Sequence, residues 1–274
     1  MHRCWLYNST RCKNWFKFNY CSRIYSKQKS PKKILSFNKK MKKKTFAFIF
    51  ARKSSKRIKN KNTKKLNGLE LINYSINLAK KIKSVSEIFI STDDPKIKKI
   101  AKTQGCVLIE RPKYLASDNA SEWLAWKHAV KYVSTKYEKN FNFLSLPTTT
   151  PLRSKKDVLN TIKLLKNKTD IVLTCFPSKS NPAFNMIMKN NKGYYSIYNK
   201  AKKFSRFQDA PKVYDITTAA YYTTSNYIFK NAYMFAGNVM AYEMPVERAV
   251  DIDNKIDFFL AEQLIRRKVV KIKF

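Results

Sequence analysis

Residues 45–50, Thr-Phe-Ala-Phe-Ile-Phe, carry no charge and run straight into the polar stretch 52–62. The pattern predicts a strand buried on both faces that leaves the sheet in a cationic loop. Leu69, Leu71, Ile72, Ser75, Ile76 and Ala79 then recur at helical spacing. A strand at 87–91 follows, with Asp94 as N-cap and Pro95 at the first helical position opening a helix to Gln104, which Gly105 ends. The alternation continues with strand 106–110, helix 121–135, strand 141–146, helix 154–166 and strand 170–175. Strands separated by helices of ten to fifteen residues imply right-handed crossovers and a mainly parallel α/β sheet.

The rhythm breaks at 176–212, where Asn, Lys, Tyr and Ser dominate and Pro177, Pro182 and Pro211 punctuate the chain. Alternation at 184–188 and 194–198 predicts a hairpin, and the whole segment reads as an insertion. The α/β pattern returns with a strand at 213–222, a helix near 225–231, a strand at 239–242 and a last helix at 254–267.

Composition changes this picture in one place. The 274 residues carry 57 Lys plus Arg against 18 Asp plus Glu, a formal charge of +39. Such an excess points to nucleic acid or an anionic surface. Its distribution weakens that inference: 14 of the cations and no acid fall in residues 1–44, and the rest spread along helices. No nucleic-acid motif accompanies them.

Residues 1–44 show no helical or strand period and are expected to lie outside the domain at 45–274. Met41 followed by three lysines and a strand resembles a translation start, so the segment reads as a basic extension or a mis-called start. A basic, aromatic membrane-surface arm is the alternative. No stretch reaches the roughly 18 apolar residues of a transmembrane helix, and the domain is expected to be cytoplasmic.

Cys106 and Cys175 lie in apolar strand-like runs with no C-x-x-C pair, which reads as core packing. The domain's one histidine, His128, falls in a helical pattern, so histidine-based catalysis is not expected. The chain has four glycines, Gly68, Gly105, Gly193 and Gly237, and none lies in 45–62. Neither a Walker A loop nor a dinucleotide fingerprint can be written. If the loop after the first strand binds phosphates, the cations Arg52, Lys56, Arg57 and Lys61 must do the work; a solvated lysine run is the plain alternative.

A second feature stands far downstream. In an extended stretch at 248–253, Asp251 and Asp253 project to the same side. Two adjacent carboxylates repel unless a cation such as Mg2+ sits between them. The alternative is that Asp253 caps the helix starting at Asn254. A cationic loop and a carboxylate pair are together the parts needed to move a nucleotidyl group.

Five segments in order give the resemblance. They are Ala51-Arg52-x-x-Ser55-Lys56 with Lys61-Asn62; Ser91-Thr92-Asp93-Asp94; Arg111-Pro112-x-x-Leu115-Ala116-Ser117-Asp118-x-Ala120-Ser121; Pro151-Leu152-Arg153; and Asp251-Ile252-Asp253-x-x-Ile256-Asp257-Phe258. From about residue 45 to 267 the chain resembles the acylneuraminate (CMP-sialic acid) cytidylyltransferases. The resemblance implies a Rossmann-like three-layer nucleotidyltransferase fold with a dimerisation insertion at 176–212. It implies joining CTP to a nonulosonic acid, with Mg2+ as cofactor and a homodimer as the assembly. Arg52, Ser55 and Lys61 would hold the triphosphate, Asn62 and Arg111 would contact the nucleotide, Ala120 would lie near the cytosine, and Asp251 with Asp253 would hold the metal. The chemistry would rest on Arg52, Lys61, Asp251 and Asp253, while Lys53, Ser54, Lys59 and Asn60 would face away.

The chain departs from the family at Lys53, Ser54 and Arg57, where small residues are usual. It departs also at Leu146, where a glutamine is common, and at residues 215–221. The last two touch the sugar side. A 3-deoxy-manno-octulosonate cytidylyltransferase, a nucleic-acid-binding basic protein and a catalytically lapsed family member are the competing readings.

Overall fold

Alternation along the first strand, β1 (Thr45–Phe50), sets the layering. In the computed structural model, which describes residues 43–55, 57–117, 120–200 and 204–272, Phe46 and Phe48 face one way and Ala47 and Ile49 the other. The aromatic face meets Phe89, Phe143, Trp123, Trp126 and Tyr227, with the Phe48 and Phe143 rings 4.3 Å apart. The aliphatic face meets Ile72, Ile76, Ile97, Ala101 and Val158.

Seven described strands form the main sheet: β1, β2 (Val85–Thr92), β3 (Val107–Glu110), β4 (Asn142–Ser145), β5 (Ile171–Pro177), β6 (Tyr214–Thr224) and β7 (Val239–Glu243). Their order is β7-β5-β6-β4-β1-β2-β3. Only β6 runs antiparallel, to both β4 and β5. Helices α1 (Leu71–Lys80), α2 (Pro95–Thr103) and α4 (Lys155–Leu164) contribute to the aliphatic face; α3 (Glu122–Lys136) and α5 (Ser225–Lys230) contribute to the aromatic one. The result is the expected α/β/α sandwich. A last helix, α6 (Lys255–Arg266), packs in a third cluster with Ile58, Leu66 and Leu71.

The chain moves outward from β1 to β2 and β3, then returns to place β4 on the other side of β1. The carboxyl ends of β1 and β4 therefore flank a switch point, where open α/β sheets bind ligands.

Three details differ from the sequence reading. Leu69 is not helical: Leu69–Glu70 pairs with Lys65–Leu66 across Asn67 (φ 45°) and Gly68 (φ 83°), a tight turn that needs left-handed backbone. A helical turn at Lys113–Ala116 was not expected. Arg248 does not belong to the extended stretch: β7 ends at Glu243, a 3-10 turn covers Val246–Arg248, and Ile252 N–H donates to Thr149 O at 2.7 Å. The expected hairpin is present as Ile187–Lys189 against Tyr195–Ile197. The reading of residues 1–44 falls outside the described residues except at Lys43 and Lys44. No described helix is long and apolar enough to cross a membrane.

One buried ion pair ties α4 to the turn before the carboxylates. Asp157 is 1% exposed and takes a bidentate pair from Arg248, both contacts 2.9 Å. Burial alone would raise its pKa, but hydrogen bonds from Arg248 and Ser154 outweigh it and hold the carboxylate below its ordinary range. A depressed pKa gives stability present above the unfolded value of about 3.9 and lost as pH falls below it. Arg248→Ala should therefore cost ~3 kcal/mol at pH 7. In thermal melts the gap to wild type should narrow towards pH 4, as Asp157 of the variant takes up a proton. A gap independent of pH would contradict this account of the pair.

Candidate active site

The loop after β1 reaches its shape without glycine. Ala51 N–H donates to Ser91 O at 3.0 Å, and Thr92 Oγ1 donates to Ala51 O at 2.6 Å. Lys53 N–H donates to Asp93 Oδ1 at 2.8 Å, and the Arg52 guanidinium donates to Ser117 O at 2.9 Å. Ile58, 4% exposed, anchors the loop from below. Asn60 adopts φ 53°, the left-handed conformation that glycine otherwise supplies.

Between this loop, the turn after β4 and the segment at 251–253 lies a cavity of about 590 Å³. All eight residues named from the sequence line it: Arg52, Ser55, Lys61, Asn62, Arg111, Ala120, Asp251 and Asp253. Lys53, Lys59 and Asn60 line an adjoining groove and not this cavity, whereas Ser54, expected to turn away, lines both, as does Ser55. Lys56 and Asp118 lie outside the described residues. Asn62 braces the site as well as lining it, since its amide donates to Arg52 O at 3.0 Å and accepts from Thr148 Oγ1 at 2.6 Å.

The carboxylate pair is freed from any capping duty. Asn254 caps α6, accepting from Ile256 and Asp257 N–H, and Asp257 returns a bond to Asn254 N–H. Asp253 instead binds two cations, Arg57 at 3.0 Å and Lys61 at 3.1 Å; Lys61 also donates to Ile252 O at 2.8 Å. Arg57, left undecided by the sequence, is thus part of the cavity wall.

Asp251 is different. Its Oδ1 is buried with no hydrogen-bond partner. Burial raises its pKa and Asp253 adds to the rise, opposed by the Thr149 and Thr218 hydroxyls and by Lys61. Two carboxylates lining one cavity, one of them with an oxygen that no hydrogen bond satisfies, fit Mg2+, which is commonly held by one or two carboxylates with water and phosphate oxygens completing its shell.

Arg111 lines the same cavity. It is 9% exposed, stacks over Phe50 at 5.6 Å, donates to Ser91 Oγ at 3.3 Å and leaves Nη2 without a partner. Burial pulls its pKa down to about 10.

Three contributors were given no role in the site by the sequence reading. Glu122 lines the cavity as an exposed residue, yet the protein packed around it takes some of the water from its carboxyl. That desolvation raises its pKa, against the Trp126 hydrogen bond and the Arg111 charge. In the sequence it reads as an ordinary acid in a helix's first turn. Thr218 reaches Thr149 at 2.9 Å and Thr150 at 2.7 Å because β6 shifts register between Thr217 and Tyr221. Arg153, 5% exposed, donates to Pro147 O, Thr150 O and Ser75 Oγ at 2.6 to 2.7 Å, fixing the turn that carries Thr148 and Thr149.

A cationic loop and an acidic pair facing each other across the switch point of this sheet define a nucleotidyltransferase. The chain belongs to the cytidylyltransferase family, whose model matches residues 46–270. It is 34% identical over 229 residues to a Campylobacter coli protein named post-translational flagellin modification protein B, covering 82% of this chain and 96% of that one. It is also 34% identical over 224 residues to the CMP-N,N'-diacetyllegionaminic acid synthase of Campylobacter jejuni, covering 80% and 94%. Among solved structures, CMP:2-keto-3-deoxy-manno-octonic acid synthetase complexed with CTP matches with a TM-score of 0.60 at 15% identity. That match covers 82% of this chain and 99% of the other, and it shows a shared fold.

Proposed function

We propose that the protein transfers CMP from CTP to the anomeric hydroxyl of a nonulosonic acid, releasing pyrophosphate. The observation that carries this is the single cavity holding Arg52, Ser55 and Lys61 opposite Asp251 and Asp253, in a chain one-third identical to a CMP-nonulosonic acid synthase.

In this reading Arg52, Ser55 and Lys61 hold the triphosphate, and Asn62, Arg111 and Ala120 hold the nucleoside. Asp251 and Asp253 would hold Mg2+, which when bound neutralises charge on the reacting phosphates. Lys61 keeps Asp253 oriented from a position only 14% exposed. The sugar oxygen forms a bond to the α-phosphorus as the bond to the bridging oxygen of the β-phosphate breaks, which demands in-line placement. The hydroxyl proton needs an acceptor, and Asp251, with its raised pKa, suits that task better than Asp253, which already binds two cations.

The insertion supports a homodimer in the same proposal. Ile187, Met188, Tyr194 and Tyr195 are exposed on its hairpin, and Tyr214 and Ile216 are exposed on β6. A second copy covering them would bury a surface that is costly in water. A cytoplasmic location, where CTP is made, belongs to the same reading. The 3-deoxy-manno-octulosonate alternative has only fold likeness behind it.

Phosphorus NMR of a mixture of protein, CTP, Mg2+ and acceptor tests the reaction type. A new phosphodiester signal appearing with equal pyrophosphate is the expected result. CDP with inorganic phosphate would refute it.

A further inference from the structure

An acidic side chain is out of place on the wall of a polyphosphate cavity unless it holds a cation, as proposed for Asp251 and Asp253, or faces a part of the ligand that donates hydrogen bonds. Glu122 is such a residue. Trp126 Nε1 donates to its Oε1 at 3.1 Å, which fixes the carboxyl in the cavity wall. The Trp126 ring that holds it lies 6.4 Å from the ring of Phe50, and Arg111 sits over Phe50 at 5.6 Å, with Phe50 and Arg111 lining the same cavity. Arg111, nine-tenths buried, lines the same end with Nη2 unpaired. Glu122, Trp126, Phe50 and Arg111 thus follow one another along one wall, which places Glu122 on the side of the cavity where Arg111 meets the nucleotide.

This end of the cavity therefore offers apolar surfaces, one spare buried donor and one acidic acceptor. Cytosine presents acceptors at O2 and N3 and a donor at its 4-amino group. Uracil replaces that donor with a carbonyl oxygen, which would stand acceptor against acceptor with Glu122. An acidic side chain accepting from the amine of cytosine is a recurrent way to read this base.

We propose that Glu122 accepts a hydrogen bond from the cytosine 4-amino group and sets the preference for CTP over UTP. The inference rests on the CTP-dependent reaction proposed above and deepens it. Arg111 supplies the complementary donor to the ring acceptors.

Glu122→Gln tests this sharply. With Oε1 still held by Trp126, the new amide turns its NH2 to the cavity, opposing the cytosine amine and matching the uracil oxygen. Binding of CTP, UTP and 2'-deoxy-CTP would be measured by calorimetry on the full chain and on the variant, with circular dichroism as the check of folding. The expected result is a fall in the CTP-to-UTP affinity ratio of about tenfold or more, with wild type and variant showing the same ratio of CTP to 2'-deoxy-CTP. Glu122→Ala, which adds no donor but removes the opposing acceptor, should weaken CTP and bind UTP at least as well as wild type, and it decides the matter if the glutamine variant does not fold. An unchanged CTP-to-UTP ratio overturns the assignment. So does a change confined to the 2'-deoxy comparison, which would place Glu122 on the ribose. Wild-type protein that binds no CTP would instead sink the reaction itself.

Discussion

Asp251→Asn should lower turnover by about two orders of magnitude or more and at the same time raise the melting temperature. The two effects come from one cause. Asp251 is half-buried, with its Oδ1 enclosed and unpartnered, and lies beside a second carboxylate, so its ionised form is held at a cost in free energy. A carboxyl whose folded pKa is raised binds its proton more tightly in the folded state, so stability rises as pH falls and the cost is greatest at neutral pH. Asparagine keeps the shape and removes the charge, and with it the proposed metal ligand and proton acceptor. Activity and thermal melts on the same preparation check it. A variant that is both active and no more stable would remove Asp251 from the site. Asp253→Ala should match the loss of turnover with a stability change within ~1 kcal/mol, because Asp253 is half exposed, its pair with Arg57 is solvated, and Lys61 keeps its bond to Ile252 O.

The second large effect is structural. Arg153 is buried with three hydrogen bonds to neutral oxygens and no ion pair among the described contacts, and burial pulls its pKa down to about 9. Arg153→Ala leaves Pro147 O, Thr150 O and Ser75 Oγ without this donor in a region water cannot reach. A loss of ~3 kcal/mol or more follows, close to 10 °C in melting temperature for a domain of this size. The turn carrying Thr148 and Thr149 would loosen, so Asn62 would lose its brace and turnover would fall even below the melting point. Arg153→Lys should recover little, since one ammonium cannot span the three acceptors of a planar guanidinium. Full recovery with lysine would show that charge alone matters at this position.

How much of this was readable in the chain depends on the distance over which each feature is encoded. β1 and its loop are written in eighteen consecutive residues. Helix starts were legible because Asp94, Ser121 and Ser154 each cap with their own side chain, bonding to Lys96, Leu124 and Asp157 N–H. The start of α1 was misjudged because Glu70 makes no such bond and Leu69 continues the apolar run into a hairpin. The eight site residues emerged from local motifs, and all line one cavity. Features created by tertiary geometry did not emerge. Arg57 meets Asp253 across 196 residues, Thr218 is turned by a register shift in β6, and Arg153 shows in sequence only as the end of a Pro-Leu-Arg motif. Glu122 was hidden by its ordinary place in a helix's first turn. The capping alternative for Asp253 also needed the structure, which gives that duty to Asn254.

Pyrophosphate release from CTP and Mg2+, followed with and without a panel of eight- and nine-carbon keto sugar acids, tests the central claim most directly. Release that depends on a nonulosonic acid, and falls with Asp251→Asn, is the predicted result. No acceptor-dependent release from any acid of the panel, under conditions where a known relative turns over, would contradict it.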